Sequence, residues 1–377
     1  MKQIVVIGGG FAGQMALHSL NRERVGLEVT LVDSRRYADF LPLLPDVIGG
    51  RIGAPVVRRA MTDVARNHGC RLVASGVAAV DPARTLVILQ NGEELRCDAI
   101  VISSGSETNF YGNSDAIRYA WKLDDADDAI RIRRAIIDDP GIRQAVVVGG
   151  GYTGVEVAAN LRRLAHRHRD PGFRVTILER GPTVLNALPE WMRTYAADRL
   201  RRLGIECATG MSISRIAARR LELDGGRVFD DTAIVWCAGV HTPLFARQLS
   251  FSQTAQGRLV VDANLRVAPG IFAAGDTAAW LRGNAPLRMS IQYARLQGCC
   301  AGRNAARAVT GRPLIPFRPL DPGYVIPIAG GGGCGSIFGL NLSGLLPMML
   351  HYAMCLYRLP AFRQRRLMLA DMIFGTT

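Results

Sequence analysis

The chain has 377 residues, 49% of them hydrophobic and 21% charged, so it is long enough for two or three ordered globular domains. Its 46 Lys and Arg residues against 32 Asp and Glu give a net charge of +14, which favours an anionic partner such as nucleic acid or a membrane surface. The basic residues are dispersed along helical patterns and form no nucleic-acid-binding motif, so we exclude nucleic acid as the partner.

The eight cysteines contain no C-x-x-C pair and no metal-ligand spacing. They therefore predict free thiols in a reducing compartment and no metal site. A core strand begins within a few residues of Met1, without a cleavable signal peptide before it. We expect a protein that lies in the cytoplasm or faces it.

The chain begins with a predicted strand, Lys2–Ile7, and a predicted helix, Phe11–Leu20. Gly8, Gly10 and Gly13 between them form a G-x-G-x-x-G fingerprint. These glycines allow a tight turn, a close approach of a pyrophosphate, and close packing of helix on strand. The junction predicts a dinucleotide site in which the pyrophosphate rests on amides at the helix N-terminus.

The next predicted strand, Val29–Val32, ends at Asp33. A carboxylate about twenty residues beyond the glycines suits hydrogen bonding to an adenosine ribose, whereas a turn residue or helix cap is the alternative for Asp33. Ala38–Ile52 has too many prolines for a helix interior and too much apolar surface for a free loop. We expect this segment to cover a ligand.

A small antiparallel unit is predicted next, with the turn at Asn91-Gly92 and strands at Leu72–Val80, Thr85–Leu89 and Glu94–Leu95. Asp98–Ser106 is a buried strand that ends in a Ser-Ser-Gly turn. A helix over Leu123–Ile137 then leads to a second nucleotide-binding pattern.

The stretch Ala145–Asn160, AVVVGGGYTGVEVAAN, repeats the fingerprint with Gly149, Gly151 and Gly154. Glu179 ends the following strand, as Asp33 does in the first copy. Leu188–Leu203 is a predicted helix. Thr232–Val240 repeats the strand and glycine turn of Asp98–Ser106. This duplication predicts two related dinucleotide domains, for which a bound flavin and a diffusing nicotinamide are the economical pair.

Beyond the repeat, short strands are predicted at Leu259–Val261 and Ile271–Ala274, with Gly275-Asp276 after the second, followed by a helix over Ser290–Val309. Pro322–Tyr357 contains no charged side chain except histidine. We considered a membrane span over Ile337–Tyr357, but its polar residues and Pro347 favour a segment that packs partly on the protein and partly into one leaflet. Ala361–Phe374 is predicted to be an interfacial helix, with an ordinary docking helix or dimer contact as the alternative.

Several motifs together resemble the two-dinucleotide-binding flavoprotein superfamily over residues 1–310. They are GGGFAG, Asp33, the turn at Ser103–Gly105, GGGYTGVE, WCAGV and IFAAGDTA. Disulfide reductases carry a redox-active cysteine pair where Ala38–Ile52 has no cysteine. Sulfide:quinone oxidoreductases need catalytic cysteines, one of them near the second fingerprint, and this chain has none there. The segments DFLPLLPDVIGGRI, SIQYARLQG and FGLNLSGLLPMMLHYAMCLYRLP most resemble the type II NADH dehydrogenases, which usually have Ala where Ile291 stands.

The resemblance implies an α/β fold with FAD- and NADH-binding Rossmann-like domains and a C-terminal membrane-associating segment. It implies cofactor binding, with FAD held non-covalently, at Gly8, Gly10, Gly13, Asp33, Val77, Gly105, Gly149, Gly151, Gly154, Glu179, Gly239, Gly275 and Asp276. The implied domains are FAD-binding at 1–115 and 250–310, NADH-binding at 116–249, and quinone- and membrane-docking at 311–377.

Further roles follow from the same resemblance. Gln292 would face the quinone at the flavin edge, with Ile291 beside it, although an exposed helix start is the alternative for Gln292. Glu156 would position NADH or assist proton movement, the alternative being a carboxylate that only favours the helix dipole. Glu179 should prefer NADH because it would repel a 2′-phosphate, and Arg180 beside it leaves NADPH open.

The predicted function is hydride transfer from NADH to FAD, followed by transfer of two electrons to a membrane quinone without proton pumping. The expected location is peripheral, on the cytoplasmic face of the membrane and against its anionic surface, and the family suggests a homodimer. A soluble NAD(P)H-dependent ferredoxin or rubredoxin reductase and a non-enzymatic flavin and NAD redox sensor are the alternatives.

Overall fold

The structure, a computed structural model, describes residues 1–23, 26–168, 172–330 and 332–375. The helices are α1 (Phe11–Arg22), α2 (Leu44–Ile48), α3 (Ala54–Val57), α4 (Met61–His68), α5 (Ser114–Tyr119), α6 (Ala126–Asp138), α7 (Tyr152–His168), α8 (Glu190–Arg202), α9 (Leu244–Arg247), α10 (Ile291–Val309), α11 (Leu345–Arg358) and α12 (Phe362–Phe374). Short 3-10 helices cover Leu41–Leu43 and Gly275–Thr277.

The strands up to the second fingerprint are β1 (Lys2–Ile7), β2 (Leu27–Val32), β3 (Tyr37–Asp39), β4 (Arg58–Ala60), β5 (Arg71–Val73), β6 (Val77–Asp81), β7 (Leu86–Leu89), β8 (Glu94–Arg96), β9 (Ala99–Ile102), β10 (Glu107–Thr108) and β11 (Gln144–Val148). Those that follow are β12 (Arg174–Glu179), β13 (Ile205–Thr209), β14 (Ile213–Ala217), β15 (Arg220–Leu223), β16 (Val228–Phe229), β17 (Thr232–Trp236), β18 (Val240–His241), β19 (Leu259–Val261), β20 (Arg266–Ala268), β21 (Ile271–Ala273), β22 (Ala278–Arg282), β23 (Ala285–Pro286), β24 (Gly323–Ile328), β25 (Gly332–Ile337) and β26 (Leu340–Ser343).

The chain folds into two compact units, each assembled from three segments. Unit 1 comprises Met1–Ala38, Arg59–Glu107 and Val240–Asp321. Unit 2 comprises Asp39–Arg58, Thr108–Gly239 and Pro322–Thr377. Both units therefore mix parts of the chain that are far apart in sequence.

Unit 1 is built on a six-stranded sheet in the order β20-β21-β9-β1-β2-β5. β1 lies parallel to β2 on one side and to β9 on the other, so the strand order reverses at β1. In doubly wound sheets such a reversal leaves a crevice at the carboxyl ends of the two strands, where ligands bind. The first fingerprint follows β1 directly, which puts its glycines at this crevice.

Helices α1 and α10 pack against each other in unit 1 through small residues. A Cβ atom added to Gly298 would lie 2.0 Å from the carbonyl oxygen of Ala12, and one on Gly302 would lie 2.5 Å from that of Ala16. Only glycine fits at such distances. The short helix-to-helix separation is therefore specified by the sequence of α10.

Unit 2 repeats the arrangement with a parallel four-stranded sheet, β13-β12-β11-β17. β11 pairs with β12 on one side and β17 on the other, in register Val146 to Thr176 and Val146 to Ile234. All five residues of β11 and of β17 are buried, as expected for central parallel strands. The α/β fold with two Rossmann-like domains is thus confirmed.

Two local predictions need correction. Leu72–Val80 is not one strand of an antiparallel unit: β5 joins the parallel sheet, and only β6 pairs with β7 and β8. The extended conformation is interrupted by a turn at Ser75-Gly76, where the amide of Ser75 donates to the carbonyl of Val73. Ala38–Ile52 does contain a helix, α2, because Pro45 lies in its first turn, where the missing N–H has no helical partner.

The apolar C-terminal stretch is divided rather than continuous. β26 and a turn at Gly344, whose φ of +87° favours glycine, separate the start of Ile337–Tyr357 from α11. α11 packs against β24 and β25, and α12 contacts α3. Within the described ranges, every helix is too short or too polar to cross a membrane.

Candidate functional site

The first fingerprint forms a turn in which two of its three glycines are sterically required. A Cβ atom on Gly8, at φ +94°, would lie 2.4 Å from the carbonyl oxygen of Ser103, and one on Gly13 would lie 1.8 Å from that of Gly8. A Cβ atom on Gly10 would meet no atom within 4 Å. The open space beside Gly10, at the N-terminus of α1, fits the pyrophosphate of FAD.

Asp33 lies at the end of β2 and is buried beside this turn. Its Oδ2 accepts a hydrogen bond from the Gly9 amide at 2.7 Å, and Arg35 Nη2 donates to the same oxygen at 2.8 Å. Burial acts to raise the pKa of Asp33, but the hydrogen bond and charge of Arg35, with the two backbone amides, lower it below its usual value. The residue is therefore an ionised acceptor, as ribose binding requires.

The second fingerprint has the same geometry in unit 2. A Cβ atom on Gly149, at φ +107°, would lie 2.5 Å from the carbonyl oxygen of Cys237, and one on Gly154 would lie 1.8 Å from that of Gly149. A Cβ atom on Gly151 would again have no neighbour within 4 Å. Unit 2 thus offers a second pyrophosphate cradle at the N-terminus of α7.

Glu179 occupies in unit 2 the position that Asp33 has in unit 1. Its Oε2 accepts from the Gly150 amide at 2.7 Å, and its Oε1 accepts from the Gly181 amide at 2.6 Å. In both units the carboxylate at the end of the second strand accepts a hydrogen bond from the glycine that lies between the first two fingerprint glycines, Gly9 or Gly150. The sequence duplication therefore extends to individual hydrogen bonds.

Three of the predicted cofactor residues lie around one turn of unit 1. Ser106 Oγ donates to Asp276 Oδ2 at 2.9 Å, and Thr277 Oγ1 donates to the Gly105 carbonyl at 3.1 Å. The Gly275 amide donates to Gln297 Oε1 on α10 at 2.9 Å. Burial raises the pKa of Asp276, although Ser106 and a buried arginine act against this.

That arginine, Arg258, was not identified from the sequence. It is 3% exposed, and its guanidinium donates to the backbone carbonyls of Asp276, Leu287 and Ala278 at 3.0, 2.9 and 2.5 Å. A buried cation that bonds three carbonyls fixes the backbone of the turn and stabilises the charge of Asp276. Nothing in the local sequence separates Arg258 from the many surface arginines.

The remaining predicted residues of unit 1 lie on two elements. Val77 begins β6 and is buried in the hydrophobic core. Ile291 and Gln292 are half-buried at the start of α10, where Ser290 caps the helix by accepting from the Tyr293 amide at 3.3 Å. α10 packs against the Gly275–Thr277 turn, so Gln292 and Asp276 belong to neighbouring elements of the same unit.

Two predicted residues of unit 2 have informative surroundings. Gly239 has φ +132°, and a Cβ atom there would lie 2.6 Å from the hydroxyl of Tyr111. That hydroxyl donates to the Ala238 carbonyl at 3.0 Å, which holds the exposed Tyr111 ring over the turn. Glu156 is the fifth residue of α7, beyond the first turn of the helix where the sequence places it, and is half-buried.

The carboxyl of Glu156 lies in an unusual electrostatic setting. Burial raises its pKa well above the usual value, and the nearby charge of Asp46 raises it further. Asp46 is 3% exposed and accepts a hydrogen bond from the hydroxyl of Tyr352 at 2.7 Å. Sequence reasoning missed both partners, although Asp46 is a lone carboxylate in the apolar run LPLLPDVIGG.

Each unit therefore has open space beside the central glycine of its fingerprint and, next to it, a carboxyl group at the end of the second strand. Among the residues that the structure describes, no group of three or more metal-ligand side chains occurs, and each of the eight cysteines is a free thiol. The arrangement can bind two dinucleotides and hold a proton on the half-buried carboxyl of Glu156.

Comparison with known proteins agrees with this geometry. Residues 2–298 match the family described as pyridine nucleotide-disulphide oxidoreductase. The demethylphylloquinone reductase NdbB of Synechocystis is 29% identical over 386 residues, covering 96% of this chain and 93% of the relative. The type II NADH:quinone oxidoreductase Ndh of Mycobacterium tuberculosis is 26% identical over 406 residues, covering 96% and 85%.

Solved structures show the same fold. The NDH2 of Plasmodium falciparum, in complex with NADH, superimposes with a TM-score of 0.86 at 17% identity, covering 100% of this chain and 99% of that one. The sulfide:quinone oxidoreductase of Aquifex aeolicus gives 0.81 at 16% identity, covering 98% and 93%. The matches confirm the resemblance to type II NADH dehydrogenases, and the chain belongs to the pyridine nucleotide-disulphide oxidoreductase family.

Proposed function

We propose that this protein is an NADH:quinone oxidoreductase that transfers a hydride from NADH to FAD and then two electrons to a membrane quinone. The observation that carries the proposal is the pair of matching cradles, one in each unit, each with open space at its central glycine. The relatives named as quinone reductases cover almost the whole chain. They favour this activity over a ferredoxin or rubredoxin reductase and over a non-enzymatic sensor.

Unit 1 binds FAD non-covalently. Gly8, Gly10 and Gly13 receive the pyrophosphate, and Asp33 accepts hydrogen bonds from the ribose. Asp276, on the turn that Arg258 stabilises, binds the ribityl chain or nearby flavin atoms, and Val77, Gly105 and Gly275 line the same cofactor. The chemistry supplied by bound FAD is acceptance of a hydride and release of two electrons.

Unit 2 binds the diffusing NADH. Gly149, Gly151 and Gly154 receive its pyrophosphate, with Gly239 at the adjoining turn. Glu179 selects NADH over NADPH because its carboxylate would repel a 2′-phosphate. Glu156 holds a proton, since partial burial and the charge of Asp46 raise the pKa of its carboxyl and no cation acts against them among the described residues. In unit 1, Gln292 and Ile291 contact the quinone.

The protein docks on an anionic membrane surface through its C-terminal region, which we define as residues 338–374. Its exposed large hydrophobic side chains are Phe338, Leu340, Leu345, Leu346, Met349, Tyr357, Phe362, Leu369, Met372, Ile373 and Phe374. An exposed apolar surface of this extent is typical of a membrane or protein contact. Arg363 and Arg366, both exposed on α12, and the net charge of +14 favour anionic lipid headgroups. We place this contact on the cytoplasmic face; homodimerisation is supported by the family resemblance alone.

The test is an absorbance titration of the purified protein under anaerobic conditions, with NADH and then NADPH, followed by a soluble quinone. We expect a flavin spectrum that NADH bleaches at lower concentration than NADPH and that the quinone restores. A colourless protein, or a flavin that neither nucleotide bleaches, would contradict the proposal. A flavin that is bleached but not restored by quinone would instead point to a different electron acceptor.

A further inference from the structure

Three polar side chains that are far apart in the sequence lie on neighbouring helices of unit 2, two of them buried and the third half-buried. They are Asp46 on α2, Glu156 on α7 and Tyr352 on α11. Tyr352 is 5% exposed, and its hydroxyl donates to Asp46 Oδ1 at 2.7 Å. We name these two residues the Asp46–Tyr352 pair.

Close packing of α2 on α7 places the pair beside Glu156. A Cβ atom on Gly49, at the end of α2, would lie 2.3 Å from Oδ1 of Asn160, so glycine is needed there. Asn160 in turn donates to the Glu156 carbonyl at 3.0 Å. α2 is thereby seated on the turn of α7 that carries Glu156, and the charge of Asp46 acts on the Glu156 carboxyl.

The two carboxyl groups differ in their partners. Asp46 receives the Tyr352 hydroxyl, and Arg51 Nη1 donates to the same phenol oxygen at 3.3 Å. The Arg51 guanidinium also stacks 4.5 Å from the centre of the Tyr352 ring. Glu156 has no such donor or cation among the described residues; only burial and the charge of Asp46 act on its carboxyl. A proton shared by two neighbouring acids resides on the one without stabilising partners, which is Glu156.

Both carboxyl groups have a raised pKa, and the groups that act on each of them differ in the way this assignment requires. Burial raises the pKa of Asp46 above its usual value, and the Tyr352 hydrogen bond and the charges of Arg51 and Arg163 limit that rise. Burial raises the pKa of Glu156 well above its usual value, and Asp46 adds to the shift. Of the two carboxyl groups, these influences favour the charge on Asp46 and the proton on Glu156.

Three other ionisable groups are packed around the cluster. Burial, with Arg358 and Arg51, lowers the pKa of His351 to about 4, so its ring is neutral at pH 7. Burial raises the pKa of the Cys355 thiol, which is also neutral. Arg133 on α6 lies against Gly50 beyond the end of α2 and adds a positive charge on the Asp46 side. None of these groups reverses the division between the two acids.

We infer that Tyr352 is a positioning residue that keeps Asp46 ionised and thereby keeps a proton on Glu156, ready for quinone reduction. The inference rests on the proposed function. NADH supplies one hydride, which carries two electrons and one proton, whereas a quinone needs two electrons and two protons to become a quinol. The O–H bond of Glu156 breaks to provide the second proton, a quinol O–H bond forms, and solvent reprotonates the carboxylate.

The experiment is an infrared pH titration of the protonated-carboxyl band of three proteins: wild type, Tyr352→Phe and Asp46→Asn. From each spectrum, the spectrum of the same protein carrying Glu156→Gln is subtracted. Each subtraction isolates Glu156 without requiring turnover. Both variants remove the negative charge of Asp46. Asp46→Asn replaces the carboxylate by a neutral amide, and Tyr352→Phe removes the hydrogen bond that keeps the carboxylate ionised, so that Asp46 takes up a proton. The midpoint of Glu156 should therefore fall by about one pH unit in both, a tenfold loss of proton affinity.

The same variants shift the pH profile of turnover. A proton donor is active below its pKa, so activity is lost as pH rises through that value, and the alkaline limb should move to lower pH by the same amount. The double variant Asp46→Asn/Tyr352→Phe should shift no further than Asp46→Asn alone. Tyr119→Phe is the matched control in unit 2, because its partly buried ring packs on the core and its hydroxyl has no hydrogen-bond partner among the described residues.

Two outcomes separate the possible failures. If the Glu156 midpoint stays at its wild-type value, or rises, in both Tyr352→Phe and Asp46→Asn, the inference is wrong whatever the activity. If the midpoint falls but Glu156→Gln turns over normally with an unchanged pH profile, the electrostatic coupling stands and the proposed catalytic role of Glu156 fails. Thermal unfolding of each variant identifies any that is misfolded, in which case the other single variant decides.

Discussion

Gly10 and Gly151 differ from the other fingerprint glycines in the space around them, because a Cβ atom at either position would contact no other atom. Gly8 and Gly13 are needed for the fold, because a Cβ atom on either would strike backbone. Gly10 and Gly151 face open space, so their need for glycine arises only when a ligand approaches. These two positions therefore separate cofactor binding from folding.

We expect Gly10→Ala to weaken FAD binding by at least about tenfold, about 1.4 kcal/mol, because a methyl group would meet the pyrophosphate. The stability of the apoprotein should change by less than about 1 kcal/mol, since its φ of −74° suits alanine. Fluorescence titration of apoprotein with FAD measures the first quantity, and thermal unfolding measures the second.

Gly151→Ala is the matched control and a prediction in its own right. It should raise the KM for NADH by about tenfold while FAD binding stays at the wild-type level. Wild-type FAD affinity in Gly10→Ala, or loss of FAD in Gly151→Ala, would contradict the assignment of one nucleotide to each unit.

At the scale of elements, α1 and α10 are held together by backbone contact that only glycine permits. An alanine in a helix interior is usually favourable by about 1 kcal/mol relative to glycine. At Gly298 the added Cβ would lie 2.0 Å from the carbonyl oxygen of Ala12, a clash that requires backbone movement. Overpacking of this kind costs about 1–3 kcal/mol, which exceeds or cancels the gain in propensity.

Gly298→Ala should therefore lower the free energy of unfolding by up to about 2 kcal/mol despite its better helix propensity. Urea unfolding followed by flavin absorbance reports on unit 1. Cys299→Ala, at the neighbouring half-buried position of the same helix, is the control and should be nearly neutral. A Gly298→Ala protein at least as stable as wild type would mean that α1 and α10 separate easily.

At the scale of the whole molecule, two surface properties support one kind of partner. The net charge of +14 attracts anionic surfaces over a distance that salt shortens, from about 10 Å at 0.1 M to about 3 Å at 1 M. The exposed apolar side chains of residues 338–374 act only on contact and depend little on salt. Membrane binding should therefore contain a salt-sensitive part and a salt-resistant part.

We expect co-sedimentation with vesicles of zwitterionic and anionic lipid to weaken with added salt and to level off at the binding seen with zwitterionic vesicles alone. Leu345→Ser/Met349→Ser, on the exposed face of α11, should reduce that remaining binding at least about tenfold. Leu244→Ser, an equally exposed leucine of unit 1, should have little effect. Equal losses in the two proteins would argue against a docking surface in residues 338–374.

The two Rossmann-like folds could be predicted from the sequence because their signals are local. A glycine fingerprint, the strand before it and the acidic residue after the next strand lie within a few dozen residues. The predicted turns accordingly contain Gly8 and Gly149, and the predicted strand ends carry Asp33 and Glu179. The duplication was visible for the same reason, since both copies keep one order and one spacing.

The units into which distant segments assemble, and the side chains that these segments bring together, could be identified only from the three-dimensional structure. Asp39–Arg58 and Pro322–Thr377 join Thr108–Gly239 in unit 2, and this assembly brings Tyr352 to Asp46 beside Glu156. A hydrogen bond between residues more than three hundred positions apart leaves no periodic or motif signal. Likewise, the pKa of a carboxyl depends on burial and on charges contributed by other elements, so the protonation of Glu156 follows from packing rather than from its place in the fingerprint.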